Sequence, residues 1–227
     1  MMSVYGNLPF VEQLIRTLAA LVLVSSFALL AQSRVVSTIQ VFAWQGFLLA
    51  LITILVAWDT GLSHLYISAG LTLALKALFI PWLLVRQARR LGILREFDSV
   101  IRPGITLMIA GSLVIFCYNV VAPVQQFTQS NTRDIIAISL ALVMISMLML
   151  ITRRKAITQV VAFMSLENGL FFAAVSATHG MPMVVELGIA FDVLIAAVIF
   201  GIFFFHIRDS IDTLDVGMLN RLAETDE

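Results

Sequence analysis

Apolar residues run along this chain in blocks of about twenty, each closed by a charge or a turn residue and none showing period-two alternation. Seven such blocks lie at about 10 to 31, 35 to 57, 62 to 85, 104 to 122, 133 to 151, 156 to 178 and 183 to 206. At roughly 1.5 Å per helical residue, each is long enough to cross the ~30 Å hydrocarbon layer of a bilayer. The pattern predicts an all-α integral membrane protein with seven transmembrane helices, and the lack of alternation argues against a membrane barrel. Most connections are short, as in Gln32-Ser33-Arg34, Trp58-Asp59-Thr60-Gly61, Ile151 to Lys155 and His179-Gly180-Met181-Pro182. The exception is RQARRLGILREFDSVIRPG, residues 86 to 104, a basic stretch expected along the membrane surface until Pro103 and Gly104 start the fourth helix.

Composition agrees with the pattern. Hydrophobic residues make up 60% of the 227 and charged residues 12%, with a mean hydropathy of +1.01. So little polar surface cannot cover a water-soluble domain of this size. The first block has no basic region before it and carries Glu12 where a signal peptide has positive charge, so it is predicted to be a span. Glu12 and Arg16, four residues apart with the acid first, are spaced to pair near the interface.

Seven spans put the termini on opposite sides, so the cations can be sorted by side. One side receives Arg34, Arg86, Arg89, Arg90, Arg95, Arg102, Arg153, Arg154, Lys155, Arg208 and Arg221, and the other only Arg16 and Arg133. That asymmetry predicts an N-terminus outside and a C-terminus in the cytoplasm.

The residue inventory excludes several kinds of chemistry. A single cysteine, Cys117, cannot hold an iron-sulfur cluster, a nickel-thiolate centre or a Cys-type zinc site, and reads as a small apolar packing residue. His64, His179 and His206 fall in or beside connections, where no pair can clamp a haem. There is no Ser/His/Asp set and no phosphate-binding glycine loop. No cofactor bound by this chain, no active site of its own and no nucleic-acid partner are expected. Gly111, Ser112 and Gly188 read as small residues that let helices approach, and the acidic end AETDE as a solvated tail.

Against that apolar background four charges stand inside predicted spans: Lys76, Glu167, Glu186 and Asp192. A charge at a helix centre costs roughly 2.5 to 3.5 kcal/mol on insertion scales, so such groups face a bundle interior or a wet cavity. Glu167 lies thirteen residues before Gly180 and Asp192 twelve after it. Two antiparallel helices leaving one turn rise equally, so both carboxyls are expected about 18 to 20 Å from that turn, at one depth. Paired buried carboxyls of this kind exchange protons near neutral pH, the chemistry of a proton relay. Lys76, in LTLALKALFIPWLL, either joins that exchange or bridges a carboxylate statically. Pro81, five residues on, cannot donate to the Ala77 carbonyl, which predicts a kink and a free acceptor beside Lys76. Glu186 sits in the first turn of its helix, where an acid is ordinary.

The chain also matches itself. QGFLLA, from Gln45, aligns with NGLFFA, from Asn168, at an offset of 123, while Gly70 and Arg90 align with Gly188 and Arg208 at 118. Helices one to three and five to seven then form two parallel repeats joined by a fourth helix. The expected divisions are 1–103, the first repeat with the basic loop; 104–132, the linker helix; 133–207, the second repeat; and 208–227, a cytoplasmic tail. Trp44 stands opposite Glu167 in this alignment, and Lys76 two positions after the counterpart of Asp192.

SLENGLF around Glu167, GIAFDVLIAAV around Asp192 and IDTLD after the last span carry a family resemblance. The segment from about Arg133 to Leu222 resembles the three-helix K subunit of respiratory complex I, in which two successive helices each carry a mid-helix acid. The whole chain resembles the E component of hydrogenase-4 and formate hydrogenlyase-type complexes. It departs at Asp192, where the small subunit has a glutamate, and in the first repeat, which lacks both acids and offers Lys76. The resemblance implies a subunit of a group 4 nickel-iron hydrogenase complex in the bacterial inner membrane. Its neighbours would be antiporter-like and complex I H-subunit-like membrane subunits and peripheral hydrogenase subunits carrying the nickel-iron and iron-sulfur centres. This chain would contribute Glu167, Asp192, Lys76 and Glu186 to a proton or ion pathway and anchor the assembly. Two other readings are a C-type subunit of a multisubunit cation/proton antiporter, for which seven spans are too many, and a non-conducting membrane scaffold.

Overall fold

The computed structural model describes residues 10–90, 102–123, 130–177, 188, 191–195 and 197–198. Its elements are α1 (Phe10–Ala31), α2 (Val35–Thr60), α3 (Ser63–Thr72), a π-helical stretch (Leu73–Phe79), α4 (Ile80–Arg90), α5 (Pro103–Val121), α6 (Ser130–Thr152) and α7 (Ala156–Ala177). The described residues from 188 onward are helical as well and are called α8. Six helical segments are long and apolar enough to cross a membrane, with α3, the π stretch and α4 counting as one, Leu65–Arg89. The chain is an all-helical, multi-pass membrane protein, and those six segments coincide with the first six blocks of the hydropathy pattern. Of the seventh block only α8 is described. Glu186, the 91–101 part of the basic stretch, the 178–187 connection and the 199–227 tail lie outside the described residues.

Local chemistry sets several helix ends. Gly61 stops α2 in the left-handed conformation, φ 68°, and its N–H returns to the Ala57 carbonyl 3.0 Å away. Pro103 opens α5, where its missing N–H would have had no helical partner.

Contacts at both ends show that α1 and α6 run side by side in the same direction. Near their starts Arg16 pairs with Asp134 at 3.7 Å. Near their ends the Arg153 guanidinium donates to the Leu30 and Gln32 carbonyls, each at 2.7 Å. Arg153, one of the eleven cations that the sequence assigns to the cytoplasmic side, is only 6% exposed. The C-terminal carbonyls of α1 lack helical donors and carry the negative end of the macrodipole, so they draw the guanidinium in.

The core forms two apolar layers. One joins Leu29, Phe42, Leu83, Met149 and Val161 with their neighbours, and the other joins Val22, Leu49, Leu65, Leu142 and Phe172 with theirs. Helix α5 contributes Ala110 to the first layer and packs against α1 and α6, with Met108 and Ile115 on its open face. A Cβ at Gly111 would meet nothing within 4 Å. Gly111 therefore does not serve the close helix approach expected of it, because α5 turns that position toward open space.

Candidate functional site

Between the apolar layers lies a belt of buried polar side chains, and Lys76 is its centre. The lysine sits in the π-helical stretch, whose hydrogen bonds skip one residue more than an α-helix: the Ile80 N–H reaches back to the Leu75 carbonyl. Pro81 follows directly and has no N–H to offer. The turn before Pro81, where the sequence predicts a kink and a free acceptor, is a widened π-helical turn, and it holds Lys76. On the facing helix Gly46 makes room, since a Cβ there would lie 3.0 Å from Lys76 Cβ and 3.2 Å from its carbonyl carbon.

That placement buries the lysine to 1% exposure. Its ammonium is ion-paired with Glu167 Oε2 of α7, donates to Asn168 Oδ1 at 3.0 Å, and lies 3.4 Å from Asp192 Oδ2 of α8. Three donors thus meet three acceptors. Nζ also lies 5.1 Å from the centre of the Phe171 ring, within cation–π range. Glu167 and Asp192, 8% and 1% exposed, therefore meet at one ammonium. Asp192 keeps its second oxygen, Oδ1, buried and without a hydrogen-bond partner among the described residues.

A chain of uncharged groups leads away from Lys76. Asn168 Nδ2 donates to Gln45 Oε1 at 3.2 Å, and Ser165 Oγ donates to the same oxygen at 3.1 Å. Gln45 Nε2 donates to Ser26 Oγ at 3.0 Å, and Ser146 Oγ to Ser165 Oγ at 2.9 Å. Helices α1, α2, α6 and α7 supply its members. Gln45 and Asn168 are both fully buried, and the oxygen and nitrogen of each amide have a partner.

On its other side Glu167 borders an apolar cavity of about 280 Å³, walled by Phe163, Leu170, Phe171 and Phe191. Gly188 belongs to this wall, where a Cβ would come 3.2 Å from Glu167 Oε1. Among the described residues no group of three or more His, Cys, Asp or Glu is placed to hold a metal ion.

Of the four charges singled out by sequence, the structure brings Lys76, Glu167 and Asp192 together, and Glu186 lies outside the described residues. Trp44, the counterpart of Glu167 in the internal alignment, is 56% exposed and takes no part. Gln45, Asn168, Ser26, Ser146 and Ser165 were not marked as site residues. Their signal was the presence of two amides in the middle of apolar spans, at positions the 123-residue offset pairs with each other.

Comparison with known proteins gives this geometry a setting. An uncharacterized protein of Mycobacterium tuberculosis (strain ATCC 25618 / H37Rv) is 30% identical over 188 residues, covering 82% of this chain and 85% of the relative. Hydrogenase-4 component E of Escherichia coli K12 and that of Shigella flexneri are each 22% identical over 211 residues, covering 93% of this chain and 98% of theirs. No family model and no solved structure matches the chain. The chain therefore belongs to one family with the Mycobacterium tuberculosis protein, and it is homologous over nearly its full length to hydrogenase-4 component E.

Proposed function

We propose that this chain is a membrane subunit of a group 4 nickel-iron hydrogenase-type complex, and that Lys76, Glu167 and Asp192 hold and pass a proton within it. The observation that carries this reading is one ammonium between two buried carboxyls, with Asp192 Oδ1 unpartnered among the described residues. With all three groups ionised the cluster has one negative charge too many for an apolar interior, and one added proton makes it neutral. Oδ1 is the open position for that proton, and Lys76 links it to Glu167 beside the cavity. Oxidation and reduction belong to partner subunits bearing nickel-iron and iron-sulfur centres. Antiporter-like and H-subunit-like neighbours would receive or supply the proton in the bacterial inner membrane.

The N-out, C-in orientation rests on the eleven-to-two split of cations. The parallel repeat is supported by the shared direction of α1 and α6. It is supported also by Gln45 and Asn168, matched by the offset and hydrogen-bonded to each other.

Replacing Glu167 by Gln in the intact complex tests the reading, because the amide keeps the shape and removes titration. The complex assembles and loses proton translocation; unchanged translocation overturns the proposal. A scaffold role has one observation in its favour, the joining of three helical segments by a single lysine. It predicts loss of assembly in every neutralised variant, with no assembled but uncoupled state.

A further inference from the structure

Glu167 uses its two oxygens differently. Oε2 holds the Lys76 ammonium, while Oε1 lies beside Gly188 in the wall of the apolar cavity between α7 and α8. Gly188 keeps that oxygen uncovered, because a Cβ there would come 3.2 Å from Oε1 and 3.5 Å from the Phe171 ring. The other lining side chains are hydrocarbon: Phe163, Leu166, Leu170, Phe171 and Phe191. Phe163 of α7 and Phe191 of α8 form one wall, with ring centres 5.6 Å apart. Both are part-exposed together with Leu170 on the outside of a membrane span, so the cavity opens toward lipid.

Size and charge define what fits. The space of about 280 Å³ is nearly twice the ~150 Å³ cavity that takes up one benzene ring, which leaves room for a ring with a short branched chain. With all three groups ionised, Lys76, Glu167 and Asp192 carry one unbalanced negative charge, so a cationic guest is favoured over a neutral or anionic one. A bare alkali ion would exchange its water for one carboxylate oxygen and phenyl carbons, at a large desolvation cost. An ammonium bearing methyl groups is the kind of cation that aromatic walls accept, and Phe171 already stands 5.1 Å from one cation, Lys76 Nζ. A tertiary ammonium has one N–H, which matches the one acceptor at this wall.

We propose that the cavity is a binding site for hydrophobic tertiary amines in their protonated form, with the N–H on Glu167 Oε1, the methyl groups against the phenylalanine rings and the tail toward lipid. The inference rests on the proton-holding reading above, since the bound ammonium supplies the positive charge that a proton otherwise brings to the cluster. Such an amine enters from the bilayer and inhibits translocation by taking the proton's place.

Photolabelling of the intact complex in lipid nanodiscs with the para-azido derivative of N,N-dimethylphenethylammonium tests the site at equilibrium, without turnover. The label attaches to the segment from Phe163 to Phe171. Excess N,N-dimethylphenethylammonium suppresses it, whereas isopentylbenzene, the same shape without charge, requires roughly tenfold more or higher. The N,N,N-trimethyl analogue, charged but without an N–H, competes less well than the dimethyl compound. Glu167→Gln removes the advantage of the charged competitor over the neutral one. Gly188→Ala changes no charge yet covers Oε1, so it lowers labelling and carries the test even where Glu167→Gln fails to assemble. No label on this chain, equal competition by charged and neutral compounds, or labelling untouched by Gly188→Ala overturns the proposal. Failure of the proton-transfer reading looks different: translocation survives Glu167→Gln while the charged competitor still outperforms the neutral one in the parent complex.

Discussion

Lys76 and Glu167 stand 91 residues apart in the chain and form one ion pair, with the lysine 1% exposed and Asp192 completing the cluster from α8. Removing one partner of a buried pair leaves an uncompensated charge and costs about 3 to 5 kcal/mol. The two neutralisations are therefore not equivalent. Glu167→Gln leaves Lys76 balanced by Asp192, whereas Lys76→Met leaves two carboxyls and no cation. Lys76→Met is expected to reduce the amount of assembled complex more than Glu167→Gln does, and the double variant to recover part of the loss. Blue-native gels of membranes from the four strains provide the comparison. Equal loss from both single variants and no recovery in the double variant would count against the charge balance.

Gly46 fixes how closely α2 approaches the lysine. A Cβ there lies 3.0 Å from Lys76 Cβ and 3.3 Å from the Lys76 carbonyl oxygen, and backbone atoms cannot swing aside as a side-chain tip can. Gly46→Val is expected to push the π-helical stretch away at a cost of about 1 to 3 kcal/mol. Because Lys76 moves with its backbone, proton translocation per assembled complex falls too. Gly70→Val, at a position where an added Cβ meets nothing within 4 Å, is the control and leaves both quantities near parental values.

The difference between what sequence shows and what it hides is clear at these residues. Hydropathy blocks locate helices because bilayer thickness and helical rise fix their length. Lys76, Glu167 and Asp192 stand out because charge is rare at such depth. Equal counting from one turn even places the two acids at one level. Sequence does not show that Lys76 lies between them, since that depends on how the third span and α7 both pack against α2. Nor does it separate Arg153 from its exposed neighbour Arg154: its burial depends on carbonyls about 120 residues away. Gln45 and Asn168 escape notice as site residues because an amide costs less to bury than a charge and leaves a weaker mark on any hydropathy pattern.

The π-helical turn makes Pro81 a sensitive position. Alanine there restores an N–H and allows the α-helical bond from residue 81 to Ala77, which the parent sequence forbids. Pulling this turn toward α-helical register rotates Lys76 relative to Glu167 and Asp192. Pro81→Ala is expected to assemble normally and to translocate protons less efficiently. Counting protons against hydrogenase turnover in vesicles tests this, and full coupling in Pro81→Ala would show that the turn is held by its neighbours.

Arg153 offers the opposite case, a buried charge whose role is to hold helices together. Its guanidinium donates to the Leu30 and Gln32 carbonyls at 2.7 Å, joining the end of α1 to the turn between α6 and α7. Hydrogen bonds from a charged donor contribute about 1.5 to 3 kcal/mol each, and the planar fork suits two acceptors better than an ammonium does. Arg153→Met is expected to lower the thermal stability of the detergent-solubilised complex by roughly 6 to 12 °C, for a loss of about 3 kcal/mol. Arg153→Lys restores part of that. Neither variant changes proton translocation per assembled complex, because Arg153 lies beyond the chain that ends at Ser26 and Ser146. Thermal melts paired with vesicle assays separate the two roles: a drop in translocation without a drop in stability would place Arg153 in the proton path.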